Sequence, residues 1–184
     1  MKFIFLGGQG SGKSTQAKLL ADYLNLPLVE MGQIFREKSQ DQDEEGLAIR
    51  ERLSAGELVP DNIAVKALKE KLNNSEFRNG YILDGYPRNA AQLAGLQKDI
   101  DKVFFVKVSD EEAIKRLSLR ARSDDTKEAL ERRLQIYHEQ TEPLLEQFEK
   151  DGKLVTINGE REIEEIHKDI KERVANYEKQ LDQN

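Results

Sequence analysis

The sequence has no cysteine in its 184 residues, and it has no long run of apolar residues. The first absence excludes disulfide bonds and cysteine-based zinc sites, so nothing in the sequence points to secretion. The second excludes a membrane-spanning helix, which needs about 20 consecutive apolar residues. An excess of positive charge is also missing: the net charge is −6, whereas general nucleic-acid binders are usually basic. We therefore expect a cytoplasmic protein that binds neither membranes nor nucleic acid, with a length suited to one domain and a substantial core.

The most informative segment that is present is the glycine-rich stretch Gly7–Thr15. It fits the pattern G-x-x-x-x-G-K-[ST] and lies between an apolar run, Lys2–Leu6, and a helical pattern, Gln16–Leu24. The N–H groups of such a loop, together with the N-terminus of the next helix, bind a phosphate chain. Lys13 would contact the β- and γ-phosphates, and the Ser14 hydroxyl would hold Mg²⁺. A glycine-rich turn that binds nothing is disfavoured because the lysine, the hydroxyl, the strand and the helix are all present.

Five short apolar segments alternate with helical patterns along the chain. This alternation predicts an α/β protein, a three-layer, doubly wound P-loop fold with a parallel five-stranded sheet. Ligands bind at the carboxyl ends of strands in such sheets, so Lys13, Asp84 and Arg88 should converge there. The predicted strands are 2–6, 26–29, 80–85, 102–108 and 153–157. The predicted helices are 16–24, 30–36, 44–53, one starting with Asp61 as N-cap, 89–98, one after Ser109, 126–149 with a bend or break at Pro143, and 163–181.

Asp84 and a set of arginines are the other candidates for chemistry. Asp84 ends an apolar strand, where a carboxylate could hold the water shell of Mg²⁺, although a turn aspartate is the alternative. Arginine binds phosphate oxygens in a bidentate manner, and phosphoryl transfer needs mainly positioning and positive charge. Each arginine could instead form a surface ion pair. The candidates are Arg36, Arg88, Arg116, Arg120, Arg122 and Arg133.

Five motifs in order give the sequence a family resemblance. They are G-x-x-G-x-G-K-x-T-Q (7–16), G-x-L-V-P-D (56–61), L-D-G-[FY]-P-R-x-x-x-Q (83–92), the R-x-D-D step (122–125) and the R-L-x-x-Y step (133–137). Together they resemble the adenylate kinase family of nucleoside monophosphate kinases over the whole chain. The resemblance implies one P-loop kinase domain (1–184), a helical NMP-binding insertion at about 30–59 and a very short lid at about 116–125. It also implies transfer of the γ-phosphate of ATP to AMP with Mg²⁺, without zinc, by a monomer.

The same resemblance implies roles for individual residues and a cis Tyr86–Pro87 bond. Lys13, Arg88, Arg122 and Arg133 would surround the transferring phosphoryl group, and Ser14 and Asp84 would hold Mg²⁺ directly or through water. ATP would be bound by Gly10, Ser11, Gly12, Lys13, Ser14, Thr15, Arg116, Arg120 and Arg161. AMP would be bound by Met31, Arg36, Glu57, Leu58, Val59, Gly85, Tyr86, Pro87, Arg88, Gln92, Arg122 and Arg133.

Three departures from the family pattern leave alternatives open. Arg120 and Arg122 are separated by Ala121 alone, so a clipped lid predicts weaker ATP affinity or more ATP hydrolysis without acceptor. Met31 and Gln33 stand where the family has threonine and an acid, so CMP, UMP or a deoxynucleotide is an alternative acceptor. Ser14 replaces the usual glycine and restores a hydroxyl facing Mg²⁺. A non-catalytic nucleotide-binding module and a small-metabolite kinase are the other readings, but neither needs all five motifs.

Overall fold

The structure, a computed structural model, describes residues 1–119 and 126–183. It is built on a sheet of five strands in the order β2-β3-β1-β4-β5, with every neighbouring pair parallel. The chain moves to one side of β1 and then to the other, so the loop after β1 lies where the strand order reverses. The predicted α/β class and parallel sheet are confirmed. The strands are β1 Lys2–Leu6, β2 Leu28–Glu30, β3 Tyr81–Asp84, β4 Lys102–Lys107 and β5 Leu154–Asn158.

The helices agree with most of the predicted segments. One prediction was too long: the helix expected at 89–98 ends at Ala94, and the next residue, Gly95, is a poor helix former. The helices are α1 Lys13–Leu24, α2 Met31–Lys38, α3 Glu44–Ser54, α4 Asp61–Leu72, α5 Ala90–Ala94, α6 Asp110–Ser118, α7 Lys127–Ile136, α8 Leu144–Lys150 and α9 Ile163–Leu181, with a 3₁₀ turn at Ser75–Phe77. No helix in the described part of the chain is long and apolar enough to cross a bilayer.

Alternate side chains of β1 face two apolar layers, one on each side of the sheet. Phe3 and Phe5 pack with α1 and α9, while Ile4 and Leu6 pack with α4 and α8. Successive residues of a strand point to opposite faces, so a strand buried on both faces is apolar throughout. This arrangement is the predicted three-layer structure, and it holds the carboxyl ends of β1 and β3 in fixed positions.

Asp61 does not have the predicted N-cap role. Pro60 is the N-cap of α4, and Asp61 is the first residue of the helix. Its carboxylate instead accepts hydrogen bonds from Asn89 and Gln92, which follow β3. The sequence suggested a local use for this carboxylate, whereas the packing of α4 beside α5 gives it partners that are distant in the sequence.

The helical segment predicted at 126–149, with a bend or break at Pro143, is divided into two helices. A π-helical turn, Tyr137–Thr141, follows α7, and Pro143 is the N-cap of α8, so the expected break at this proline is confirmed. Within the turn, the His138 ring nitrogens lie 2.7 Å from Glu142 Oε2 and 3.1 Å from Asp110 Oδ1. The hydrogen bond to Glu142, and then the one to Asp110, raise the pKa of His138. This histidine therefore joins the π turn to the start of α6.

Candidate active site

The glycine-rich loop after β1 forms the floor of a cleft of about 750 Å³, the larger cleft, to which residues 9–16 all contribute. Gly12 is the N-cap of α1 and has a left-handed backbone with φ of 86°. The buried Lys13 side chain turns back over the loop, where its Nζ donates to the Gly8 carbonyl at 3.2 Å. The start of α1 and the lysine thus place positive charge at the open face of the loop, which is suited to a phosphate chain.

Ser14 and Asp84 bring two oxygen groups together beside this loop. The Ser14 hydroxyl donates to Asp84 Oδ2 at 2.5 Å, across the ends of α1 and β3. Asp84 Oδ1 is buried and has no hydrogen-bond partner among the described residues. Mg²⁺ prefers oxygen ligands and usually takes only one or two carboxylates from the protein, together with water and phosphate oxygens. The pair therefore fits a Mg²⁺ ion, although residues 1–119 and 126–183 contain no group of three His, Cys, Asp or Glu side chains that could hold a metal.

Arg88, just after the carboxyl end of β3, is fixed by the Gly85 backbone and by the π turn. Its Nε donates to the Gly85 carbonyl at 2.8 Å, and its carbonyl accepts from the Thr141 hydroxyl at 2.7 Å. Burial lowers the pKa of the guanidinium, and the nearby Asp84 carboxylate opposes this effect. Arginine keeps its charge in proteins, so the site holds a pre-positioned cation.

Arg36 approaches the same region from α2. Gln33 Oε1 accepts from its Nε at 3.3 Å and from its Nη2 at 3.1 Å. Gln33 is itself oriented by Glu37, whose carboxylate accepts from its Nε2 at 2.8 Å. A neutral amide therefore holds the guanidinium in place without neutralising its charge.

A smaller cleft of about 120 Å³ adjoins the larger one. Arg36 and Arg88 line both clefts, so both cations lie where the two spaces meet. Of the predicted acceptor residues that the structure describes, all but Pro87 line the smaller cleft, and the Tyr86–Pro87 bond is cis as predicted. Those residues are Met31, Arg36, Glu57, Leu58, Val59, Gly85, Tyr86, Arg88, Gln92 and Arg133.

Arg116 and Arg161, which the resemblance implies as ATP contacts, line the larger cleft. Arg116 is held by Glu112 Oε1 at 2.7 Å and by the Gly159 carbonyl at 2.8 Å. Arg161 donates to Asp169 Oδ2 at 2.6 Å. Both guanidinium groups are therefore supported by acceptors from this chain and remain at the cleft wall.

Of the three remaining predicted arginines, the structure describes Arg133 but not Arg120 or Arg122. Arg133 extends from α7, and its Nη2 donates to the Leu53 carbonyl at the end of α3, at 3.0 Å. Arg120 and Arg122 lie outside the described residues, as does most of the predicted lid. Lys13, Asp84 and Arg88, which the sequence predicted to converge, all line the larger cleft.

Sequence reasoning gave no site role to several residues that line these clefts. Ile163 and Ile166 line the larger cleft, although their helical spacing suggested packing alone. Thr141 and Tyr137 line the smaller cleft, and Thr141 supports Arg88. The R-L-x-x-Y step gave a signal for Tyr137, but nothing near Thr141 in the sequence indicates its partner 53 residues away.

Comparisons with known proteins agree with this geometry. The adenylate kinase family model matches residues 5–153. An adenylate kinase of Bifidobacterium longum is 41% identical over 177 residues, covering 90% of this chain and 95% of that protein. Adenylate kinase 1 of a Nostoc species is 37% identical (92% and 96% covered), and the adenylate kinase of Methanosarcina barkeri is 35% identical (93% and 97% covered). On these matches, the chain belongs to the adenylate kinase family.

Proposed function

We propose that this protein transfers the γ-phosphate of ATP to AMP and forms two ADP. The observation that carries the proposal is the pair of adjoining clefts whose shared wall contains Arg36 and Arg88. Two phosphorylated substrates that meet at two cations would have their charge neutralised where the phosphoryl group moves. Membership of the adenylate kinase family makes this a phosphotransferase and supports AMP as the acceptor.

The larger cleft is the proposed ATP site. The loop N–H groups from Gly10 to Thr15 would hold the phosphate chain, and Lys13 would reach the transferring group. Ser14 and Asp84 would hold Mg²⁺, which would supply positive charge to offset that of the phosphates. Arg116 and Arg161 would contact ATP from the same cleft, with Arg120 assigned to ATP by resemblance alone.

The smaller cleft is the proposed AMP site. Arg36 and Arg88 would bind the acceptor phosphate at the junction, which brings its oxygen toward the loop. The backbone around Leu58 and Val59, together with the Gln92 amide, would meet the base. Lys13, Arg88 and Arg133 would surround the phosphoryl group, and Arg122 is assigned there by resemblance.

The division of the chain into parts follows from the same proposal. The segment at about 30–59 would be the acceptor-binding insertion, because Arg36, Leu58 and Val59 all come from it. The lid at about 116–125 would be too short to cover the phosphates well. Covering a site excludes water, so we expect measurable ATP hydrolysis in the absence of acceptor.

Acceptor-dependent ADP formation tests the proposal. Purified protein receives ATP·Mg²⁺ with AMP, CMP, UMP, GMP or dTMP in separate reactions, and a reaction without acceptor tests the short-lid expectation. We expect turnover chiefly on AMP, and a loss of about 10²–10³-fold in Lys13→Ala and Arg88→Ala. Matched controls are Lys18→Ala and Arg78→Ala, which remove exposed residues of the same types.

Two outcomes would contradict the proposal in different ways. Turnover chiefly on a pyrimidine nucleotide would mean that the segment with Met31 and Gln33 has changed the base preference. Tight ATP binding without turnover on any acceptor would support a non-catalytic binding module. Thermal melting of each variant separates a lost function from a lost fold.

A further inference from the structure

Gln92 lines the smaller cleft, and all of its polar groups are held by neighbours. Its backbone N–H donates to Asn89 Oδ1 at 2.9 Å, and its carbonyl accepts from the Tyr86 hydroxyl at 2.9 Å. Its side-chain Oε1 accepts from the Arg88 N–H at 2.9 Å, and its Nε2 donates to Asp61 Oδ1 at 3.0 Å. Only 3% of the residue is exposed, so these partners decide how the amide lies.

The orientation of this amide is forced by the chemistry of its two side-chain partners. A backbone N–H can only donate, so the oxygen of Gln92 must face Arg88. A carboxylate can only accept, so the nitrogen must face Asp61. A flipped amide would set two donors against each other on one side and two acceptors on the other. Arg88 and Asp61 therefore specify one of the two possible orientations.

Asp61 is itself positioned by a second amide of the same kind. Asn89 Oδ1 is occupied by the Gln92 N–H, which leaves Asn89 Nδ2 to donate to Asp61 Oδ1 at 2.8 Å. The carboxylate also lies near Tyr86: burial, and then the charge of Asp61, raise the pKa of that phenol to about 12. Asp61 is not among the described residues that line the smaller cleft, so it acts from behind the cleft wall.

A fixed amide matters because purines differ in the order of donor and acceptor at C6 and N1. The oxygen of Gln92 has a second lone pair and its nitrogen a second hydrogen, so each atom can make one more bond. A 6-aminopurine offers a donor beside an acceptor, whereas a 6-oxopurine offers an acceptor beside a donor. The buried Met31 on the same cleft has only a thioether sulfur, a weak acceptor that cannot donate.

We propose that Asp61 is a positioning residue that fixes the Gln92 amide and thereby makes the acceptor site select 6-aminopurine over 6-oxopurine nucleotides. The inference rests on the proposed function, because it assigns the smaller cleft to the acceptor base. Asp61 would touch no substrate and would act through Gln92, which lies 31 residues further along the chain. The specificity of the site is therefore shared between a residue in the cleft and one outside it.

AMP and IMP are the matched probes, since they differ only at C6 and N1. Their dissociation constants, measured by calorimetry, and their kcat/KM values with ATP·Mg²⁺ are compared for the wild type, Asp61→Ala, Asp61→Asn, Gln92→Ala and the double variant Asp61→Ala/Gln92→Ala. Asn62→Ala is the control, because Asn62 is an exposed neighbour on the same turn. If Asp61→Ala does not fold, Asp61→Ser replaces it: serine keeps a polar group at the first residue of α4, but its hydroxyl is one bond shorter than the carboxylate, too short to keep the 3.0 Å bond to Gln92.

We expect Asp61→Ala to lower the AMP-over-IMP preference about tenfold, the value of one hydrogen bond. The change should appear in the KM for AMP, with the KM for ATP unaltered. Asp61→Asn keeps an accepting oxygen and should restore most of the preference. In the Gln92→Ala background, Asp61→Ala should have no further effect on the ratio.

Two results would overturn the inference. One is an equal loss of AMP and IMP binding in Asp61→Ala, which would make the residue merely structural. The other is a further fall in the ratio when Asp61→Ala is added to Gln92→Ala. A wild type without turnover on AMP would refute the proposed function instead, and the ratio of dissociation constants would still decide the role of Asp61.

Discussion

Gly10 and Gly12 of the phosphate-binding loop share a left-handed backbone but have different surroundings. Their φ values are 79° and 86°. A Cβ added at Gly10 would lie 2.5 Å from the Ala113 carbonyl oxygen, which belongs to the backbone of α6. At Gly12, the nearest described atom to an added Cβ is an Arg116 guanidinium nitrogen, at 3.8 Å. Alanine at the two positions should therefore have separable effects.

The expected losses of stability follow from these contacts. A left-handed backbone costs an alanine about 1–2 kcal/mol, and this term is common to both variants. The overlap with a backbone oxygen at Gly10 forces a shift of α6, which adds about 1–3 kcal/mol. We therefore expect Gly10→Ala to lower the free energy of unfolding by about 2–5 kcal/mol, and Gly12→Ala by about 1–2 kcal/mol.

The effects on ATP binding should run in the opposite order to the effects on stability. The methyl group of Gly12→Ala would meet only an ordinary contact with Arg116 and would lie beside the proposed phosphate path, so this variant should fold and bind ATP·Mg²⁺ weakly. Urea unfolding gives the stability of each variant, and calorimetry gives the affinity for ATP·Mg²⁺. Gly152→Ala is the control, because Gly152 has a φ of 65° and no described atom within 4 Å of an added Cβ. It should show the backbone cost alone, with normal turnover.

Equal losses of stability in Gly10→Ala and Gly12→Ala, within about 0.5 kcal/mol, would refute this reasoning, because additivity errors are no larger than that. Unaltered ATP affinity in a folded Gly12→Ala would refute the assignment of the open side of the loop to the phosphates.

Three further predictions concern charged and polar groups of the site and of the π turn. Asp84→Asn should reduce AMP phosphorylation at saturating Mg²⁺ about 10²–10³-fold. Steady-state kinetics measure this loss, and thermal melting checks that the variant still folds. Near-normal rates would show that Asp84 does not hold the metal. Gln33→Asp should place a carboxylate beside the Arg36 guanidinium, partly neutralise its charge and raise the KM for AMP, with a smaller rise at high salt. The KM for ATP should stay constant. An equal rise in both KM values would contradict the assignment of Arg36 to the acceptor phosphate. Folding raises the pKa of His138 above its ordinary value of 6.5, so its stabilising contribution is complete below that pH and is lost as the pH rises through the raised pKa. His138→Gln should therefore weaken the fall in melting temperature between pH 5.5 and pH 8, and an unchanged pH dependence would show that the imidazole charge is not linked to folding.

Local patterns account for the parts of the fold and site that could be predicted from sequence. The strand before Gly7, the loop and the start of α1 all follow from spacing within a few residues, as does the placing of Asp84 at the end of β3. A local pattern of the same kind wrongly predicted Asp61 as an N-cap, because N-cap preference is a property of a single helix and takes no account of the residues that pack beside it. It also missed the π turn, since the periodicity of α7 and α8 differs little from that of one continuous helix.

The sequence by itself determined the fold class, the phosphate-binding loop and the family, because each depends on short-range periodicity or on motifs whose residues are close together in the chain. Only the tertiary structure decided that Arg36 and Arg88 lie in a wall shared by two clefts, and that Asp61 holds the Gln92 amide from 31 residues away. Those arrangements depend on hydrogen bonds between groups distant in sequence. Such bonds exist only once the sheet and its two apolar layers have brought the ends of the elements together.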